Sequence, residues 1–311
     1  MPRDRTAREG VEWMRHVDVK QKVATLGASL PDWAVFRRLG DLTKLRAREG
    51  RFFPVNYESG LLLYALVRHH RPRSILEIGT GRGFGALCMA MALEDSGGPG
   101  TIVTVDMLGA DDPQEWALDD GSGPRMARLS RRDVWERHVE PRLRDRIVQL
   151  KGSSFETLRG LIDEGREMDF VYVDGDHTYP VVRHDVYASL LLARPPFRLL
   201  LDDYTPLSHL YGVRRLVDEE LDPVFEAEAI HTDGRWHGQP EENTPVAQSD
   251  QAQVLLDSER VRKRLDEAFP RAKVARIVRV HETWPRVLDR LSALRSLVRD
   301  LASSGRAKER K

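Results

Sequence analysis

The chain has 311 residues, 41% hydrophobic and 32% charged, enough for one large domain with appendages. Lys plus Arg and Asp plus Glu both total 49, and the resulting net charge of +0 excludes a general binder of nucleic acid or acidic lipid. A single cysteine, Cys88, excludes an intramolecular disulfide and a thiolate metal site. No apolar run reaches the ~20 residues of a membrane span, and the charged start Met1–Gly10 has no signal-like apolar core, so a soluble cytoplasmic protein is expected.

Residues 1–50 read as a helical cap, with Val11, Met14, Val17 and Val23 at helical spacing and Pro31 able to begin a further helix. A leucine-rich helix spans Glu58–His70 and stops near Arg71-Pro72. Strands are predicted at Ser74–Ile78 and Thr101–Asp106, around a small-residue helix, Phe84–Leu93. The polar stretch 108–132 reads as a lid-like insertion without structure of its own. A helix at Asp133–His138 is followed by strands at Arg146–Leu150, Asp169–Val173 and Leu199–Leu201. This alternation predicts an α/β fold with a doubly wound, mostly parallel sheet.

Beyond Tyr204 the pattern changes. A helix near Gly212–Leu221 leads to an alternating strand, Phe225–Ile230, and a loop insertion, 232–256. A charged helix, Ser258–Ala268, precedes an alternating strand, Val274–Val280, which would pair antiparallel with Phe225–Ile230 at a sheet edge. The domain therefore reads as 51–281, with 282–311 a helical extension and a basic tail. Val287, Leu291, Leu294, Val298 and Leu301 form an a/d seam over two heptads. It serves either packing on its own domain or a homodimer.

Chemistry concentrates where the apolar strands end. Gly79, Gly81, Gly83 and Gly85 alternate in GTGRGFGA, a turn that lets backbone approach a nucleotide-like cofactor at a helix amino terminus. The turn also satisfies a dinucleotide fingerprint, with Asp106 about where a ribose-binding acid would lie. Glu77, two residues before the first glycine, would repel a pyrophosphate and suit an ammonium group. Asp174 follows one predicted strand, and Asp202 and Asp203 follow another. Neighbouring strands lie about 4.8 Å apart, so the three carboxylates can converge and demand a cation.

ILEIGTGRGFGA with VTVDM resembles motif I and the acidic strand end of class I S-adenosylmethionine-dependent methyltransferases. With LKGSSFETL, DFVYVDGDH and LLLDDY, the stretch from Phe53 to Tyr204 is similar to the branch containing catechol O-methyltransferase and bacterial metal-dependent sugar and antibiotic O-methyltransferases. The resemblance implies a Rossmann-like fold. It implies S-adenosylmethionine held by Glu58, Glu77, Gly79, Gly81, Gly83, Asp106, Ser153, Ser154 and Asp174, with Gly152 beside the adenine. It also implies Mg²⁺, Mn²⁺ or Ca²⁺ on Asp174, Asp202 and Asp203. Related proteins often carry Asn at the position of Asp203, which leaves open a place for Asp203 outside the ligand shell. His177 stands where the catechol branch has its Lys base, with Asp176 the second candidate.

The expected function is metal-assisted methyl transfer to a hydroxyl of a small polyol, sugar or phenol. A metal-independent methyltransferase, an NAD-dependent dehydrogenase and a non-catalytic dimeric scaffold stay open beside it.

Overall fold

A computed structural model describes residues 14–44, 55–119, 124–205, 211–221, 226–232, 252–257 and 278. Its strands are β1 (Met14–Asp18), β2 (Ser74–Ile78), β3 (Thr101–Asp106), β4 (Pro113–Asp119), β5 (Pro124–Ser130), β6 (Ile147–Lys151), β7 (Met168–Val173), β8 (Ala193–Tyr204), β9 (Glu226–His231) and β10 (Ala252–Asp257). The helices are α1 (Val19–Leu26), α2 (Trp33–Leu42), α3 (Tyr57–His70), α4 (Phe84–Asp95), α5 (Arg131–His138), α6 (Pro141–Arg144), α7 (Ser154–Asp163), α8 (Tyr179–Leu192) and α9 (Tyr211–Leu216). A turn of π-helix, Val217–Leu221, continues α9.

Eight strands form one sheet in the order β1-β9-β10-β8-β7-β2-β3-β6. Only β10 runs antiparallel to its neighbours, β8 and β9. The apolar runs of β2, β3, β7 and β8 are buried on both faces, as parallel strands require. Their side chains alternate between two cores. Leu76, Val103, Val171 and Leu201 pack on the α7–α8 face, while Ile75, Ile102, Phe170 and Leu200 pack on the α3–α4 face. Strand order reverses at β2, with β3 on one side and β7 on the other. That switch opens a crevice at the strand carboxyl ends.

Three expectations need correction. Met14–Asp18 is a strand, not part of a helical cap; it pairs parallel to β9 and Asp18 then caps α1 by accepting from Lys20 and Gln21 amides. Met14 and Val17 accordingly pack into cores on opposite faces. The described residues of the insertion 108–132 have structure of their own: β4 and β5 pair antiparallel, and Trp116 of β4 is fully buried. Finally, the loop assigned to 232–256 contains β10, so the antiparallel partner of β9 is Ala252–Asp257. Of the segment 274–280 only Val278 is described, as a buried helical residue. The helices expected at 258–268 and 284–302 lie outside the described residues.

Candidate active site at the strand carboxyl ends

The glycine turn leaves β2 and enters α4 with Gly79, Gly81 and Gly83 all at positive φ, +98°, +54° and +95°. Gly79 also tolerates nothing larger, because a Cβ there would lie 2.0 Å from the Asp174 carbonyl oxygen. Strands β2 and β7 thus meet backbone to backbone where they end. Gly83 is the N-cap of α4 and offers no side chain as a cap, and in the first turn the Ala86 amide is met by the Glu77 carboxyl.

Around this turn the insertion acts as a clamp. Arg131, 1% exposed, donates from Nε to Gln149 (2.7 Å) and from its two amino groups to the carbonyls of Gly81 (2.5 Å) and Leu108 (2.7 Å). Trp135 donates its indole N–H to the Arg82 carbonyl, 3.3 Å, and its ring fills the space a Cβ at Gly83 would take. Arg82 in turn lies over Trp116, 4.8 Å from the ring centroid. None of these residues carried a motif signal in the sequence.

Glu77 lies elsewhere than expected. Alternation along β2 puts it on the α4 face, opposite Thr104 of β3. Its Oε2 accepts from the Thr104 hydroxyl, 2.5 Å, and a Cβ at Gly85 would fall 2.3 Å from its Oε1. The carboxyl is 1% exposed, and burial raises its pKa to about 8. It braces the turn from beneath rather than presenting a carboxylate to an ammonium group. Asp106 does face the crevice, accepting the Gly81 and Leu108 amides at Oδ2 and Oδ1, both 2.8 Å. Each oxygen keeps a further lone pair for a ligand hydroxyl. Gly152 donates its amide to the Asp106 carbonyl (2.9 Å), and Ser153 caps α7, whose first residue is Ser154. Glu58 is fully buried in the first turn of α3.

At the ends of β7 and β8 the register sets Val173 opposite Leu201, so the next pair is Asp174 and Asp202. One hydroxyl touches both: Tyr172 donates to Asp174 Oδ2 (3.2 Å) and lies 3.3 Å from Asp202 Oδ2. Burial, then the charges of Asp202 and Asp203, drive the Asp174 pKa well above the carboxylate range. Asp203 diverges from this pair. It sits at φ +55° and turns to His177, with Nε2 3.1 Å from its Oδ2. Burial and Asp202 raise its pKa to about 7. Asp176 is exposed and accepts the Thr178 amide at 2.7 Å, a turn-forming role.

The loop bearing His177 is packed closely by α9, since a Cβ at Gly212 would lie 2.1 Å from the His177 carbonyl oxygen. Glu220 in the π-helical turn accepts from Tyr179, Arg183 and Tyr187, which ties this segment to α8. Tyr204 donates to Asp218 at 2.8 Å.

A hard cation suits all-oxygen donors, and Mg²⁺ is commonly held by one or two carboxylates with water filling the rest. Asp174 and Asp202 fit that pattern. The three-carboxylate set does not assemble as expected, because Asp203 faces His177. Among the described residues, no group of three or more His, Cys, Asp or Glu side chains is arranged to hold an ion.

This fold is that of a class I methyltransferase. Residues 76–204 match the model of a family described as a methyltransferase domain. The O-methyltransferase TomG of Streptomyces achromogenes, involved in tomaymycin synthesis and solved with SAM, shares the fold at a TM-score of 0.50 and 20% identity, over 81% of this chain and 99% of that one. An O-methyltransferase of Bacillus cereus solved with SAH aligns at a TM-score of 0.47 and 19% identity, over 77% of this chain and 96% of that one. A comparison with curated protein sequences finds no match. No described helix is long and apolar enough to cross a membrane.

Proposed function

We propose that the chain is an S-adenosylmethionine-dependent O-methyltransferase that works with a divalent cation on a hydroxyl of a small polyol, sugar or phenol. One observation carries this reading: the glycine turn closing β2 lies one strand from the paired carboxylates that close β7 and β8. The methyltransferase family match over residues 76–204 supports it.

S-adenosylmethionine supplies, when bound, an electrophilic methyl group on a sulfonium. The glycine turn from Gly79 to Gly83 would take the methionine part, with α4 behind it. Asp106 accepts the ribose hydroxyls with its remaining lone pairs. Ser153 and Ser154, at the start of α7, border the adenine beside Gly152, and Glu58 stands on the methionine side.

Asp174 and Asp202 would hold the cation, which would serve as a Lewis acid toward the acceptor. His177 takes the acceptor's proton at Nδ1, because its Nε2 faces Asp203 Oδ2. Asp203, 3.1 Å away, orients the imidazole and stabilises its protonated form. The enzyme's remaining contribution is alignment of acceptor and methyl group. Its lone buried thiol, Cys88, suits a reducing cytoplasm.

Calorimetric titration with S-adenosylhomocysteine tests the cofactor assignment; saturable heat is expected, and none at high protein concentration overturns it. A second reading, metal-independent transfer, draws on the same Asp203–His177 contact, which forms a base without a cation. Methyl transfer from labelled S-adenosylmethionine to a panel of sugars and catechols separates the two. EDTA abolishes turnover and Mg²⁺ restores it in the first reading, whereas turnover persists through EDTA in the second.

A further inference from the structure

We propose that Gln253 is a positioning residue that holds Asp202 in its cation-binding orientation; the proposal rests on the assignment of Asp174 and Asp202 as the cation's carboxylates. Gln253 lies on β10, the strand that the sequence pattern merged into a loop. It donates from Nε2 to Asp202 Oδ1 at 2.8 Å, across the sheet from the Tyr172 hydroxyl at Asp202 Oδ2. Asp202 is therefore gripped at both oxygens, from β10 on one side and β7 on the other.

The backbone is built for this contact. Between β10 and β8, Val254 pairs with Leu201 and Ala252 with Tyr204, so Gln253 alone faces two residues, Asp202 and Asp203. This is a β-bulge, the irregularity that re-aims side chains beside active sites. The extra residue is absorbed at Asp203, whose φ of +55° is a left-handed conformation unusual outside glycine. Through it, consecutive carboxylates part: Asp202 goes to Tyr172 and Gln253, Asp203 to His177.

Stability alone does not account for a glutamine here. Gln253 is 1% exposed, and its Oε1 is buried without a hydrogen-bond partner. Turning the amide over would set its carbonyl against a carboxylate oxygen, so the donor side must face Asp202. A buried amide that leaves one end unsatisfied to grip one carboxylate breaks the packing rule at a place where function can explain it. Groups that orient metal ligands commonly change metal affinity 10- to 100-fold when removed.

The test is calorimetric titration of the full-length wild type, Gln253→Leu and Gln253→Asn, with MnCl2 and separately with S-adenosylhomocysteine. Leucine keeps the bulk and removes the donor; asparagine keeps the amide but falls short of Asp202 and serves if the leucine variant does not fold. The expected result is about a 10- to 100-fold loss of Mn²⁺ affinity with S-adenosylhomocysteine affinity within about two-fold of wild type. Unchanged Mn²⁺ affinity overturns the proposal, and so does parallel loss of both ligands, the mark of a merely structural role. A wild type that binds S-adenosylhomocysteine but not Mn²⁺ overturns it while leaving the methyltransferase assignment intact. A wild type that binds neither overturns both.

Discussion

Glu77 occupies a place where its neighbours, not water, must satisfy it. Its folded pKa of about 8 exceeds the ordinary 4.5, so the folded protein keeps a proton that the unfolded chain gives up between those values. The associated stability is full below about pH 4.5 and is lost as pH rises through 8. Denaturant titrations at pH 5 and pH 8.5 should show wild type losing stability with rising pH. Glu77→Gln should flatten that loss by on the order of a few kcal/mol; parallel behaviour of the two proteins would contradict the assignment. The alternation Leu76, Glu77, Ile78 already separates Glu77 from its neighbours' face in the sequence. Which face α4 covers is settled only by packing, and that decides between bracing the turn and meeting a ligand. His177 and Asp203 pose the same problem, since their pairing depends on the Asp203 backbone, which no side-chain pattern encodes.

Helix α5 and the β4–β5 hairpin are the elements that make the glycine turn rigid. Arg131 donates to Gln149 and to the carbonyls of Gly81 and Leu108. Arg131→Met keeps the bulk and strands these acceptors, so a loss of about 3 kcal/mol in denaturant titrations is expected; a change under about 0.5 kcal/mol, the range of ordinary surface substitutions, would show that the clamp contributes nothing. Central strands such as Thr101–Asp106 were legible to the residue because two-sided burial leaves an unbroken apolar run. Edge and late strands were not. In β1 the helix-like spacing of Met14 and Val17 is outweighed by pairing with β9, and in β10 the short run AQVLLD carries a polar residue facing the carboxylates.

At the scale of the whole molecule, strand order places the chemistry. The reversal at β2 sets β7 beside it and β8 next, which brings Gly79, Asp174 and Asp202 to one crevice from positions far apart in sequence. Residues 282–311, with their a/d seam, lie outside the described residues. If that seam joins two copies, the full chain sediments as a dimer and a chain ending at residue 281 as a monomer. Equal mass per particle for both, allowing for the deletion, assigns the seam to its own domain instead.

By itself the sequence determined the parallel sheet, the glycine turn and the acidic strand ends, because each is a local pattern set by burial or backbone freedom. Tertiary structure alone decided which carboxylates meet. A strand's side-chain alternation is fixed along the chain, but its neighbours, its covered face and the bulge that turns Asp202 away from Asp203 arise from pairing between distant segments.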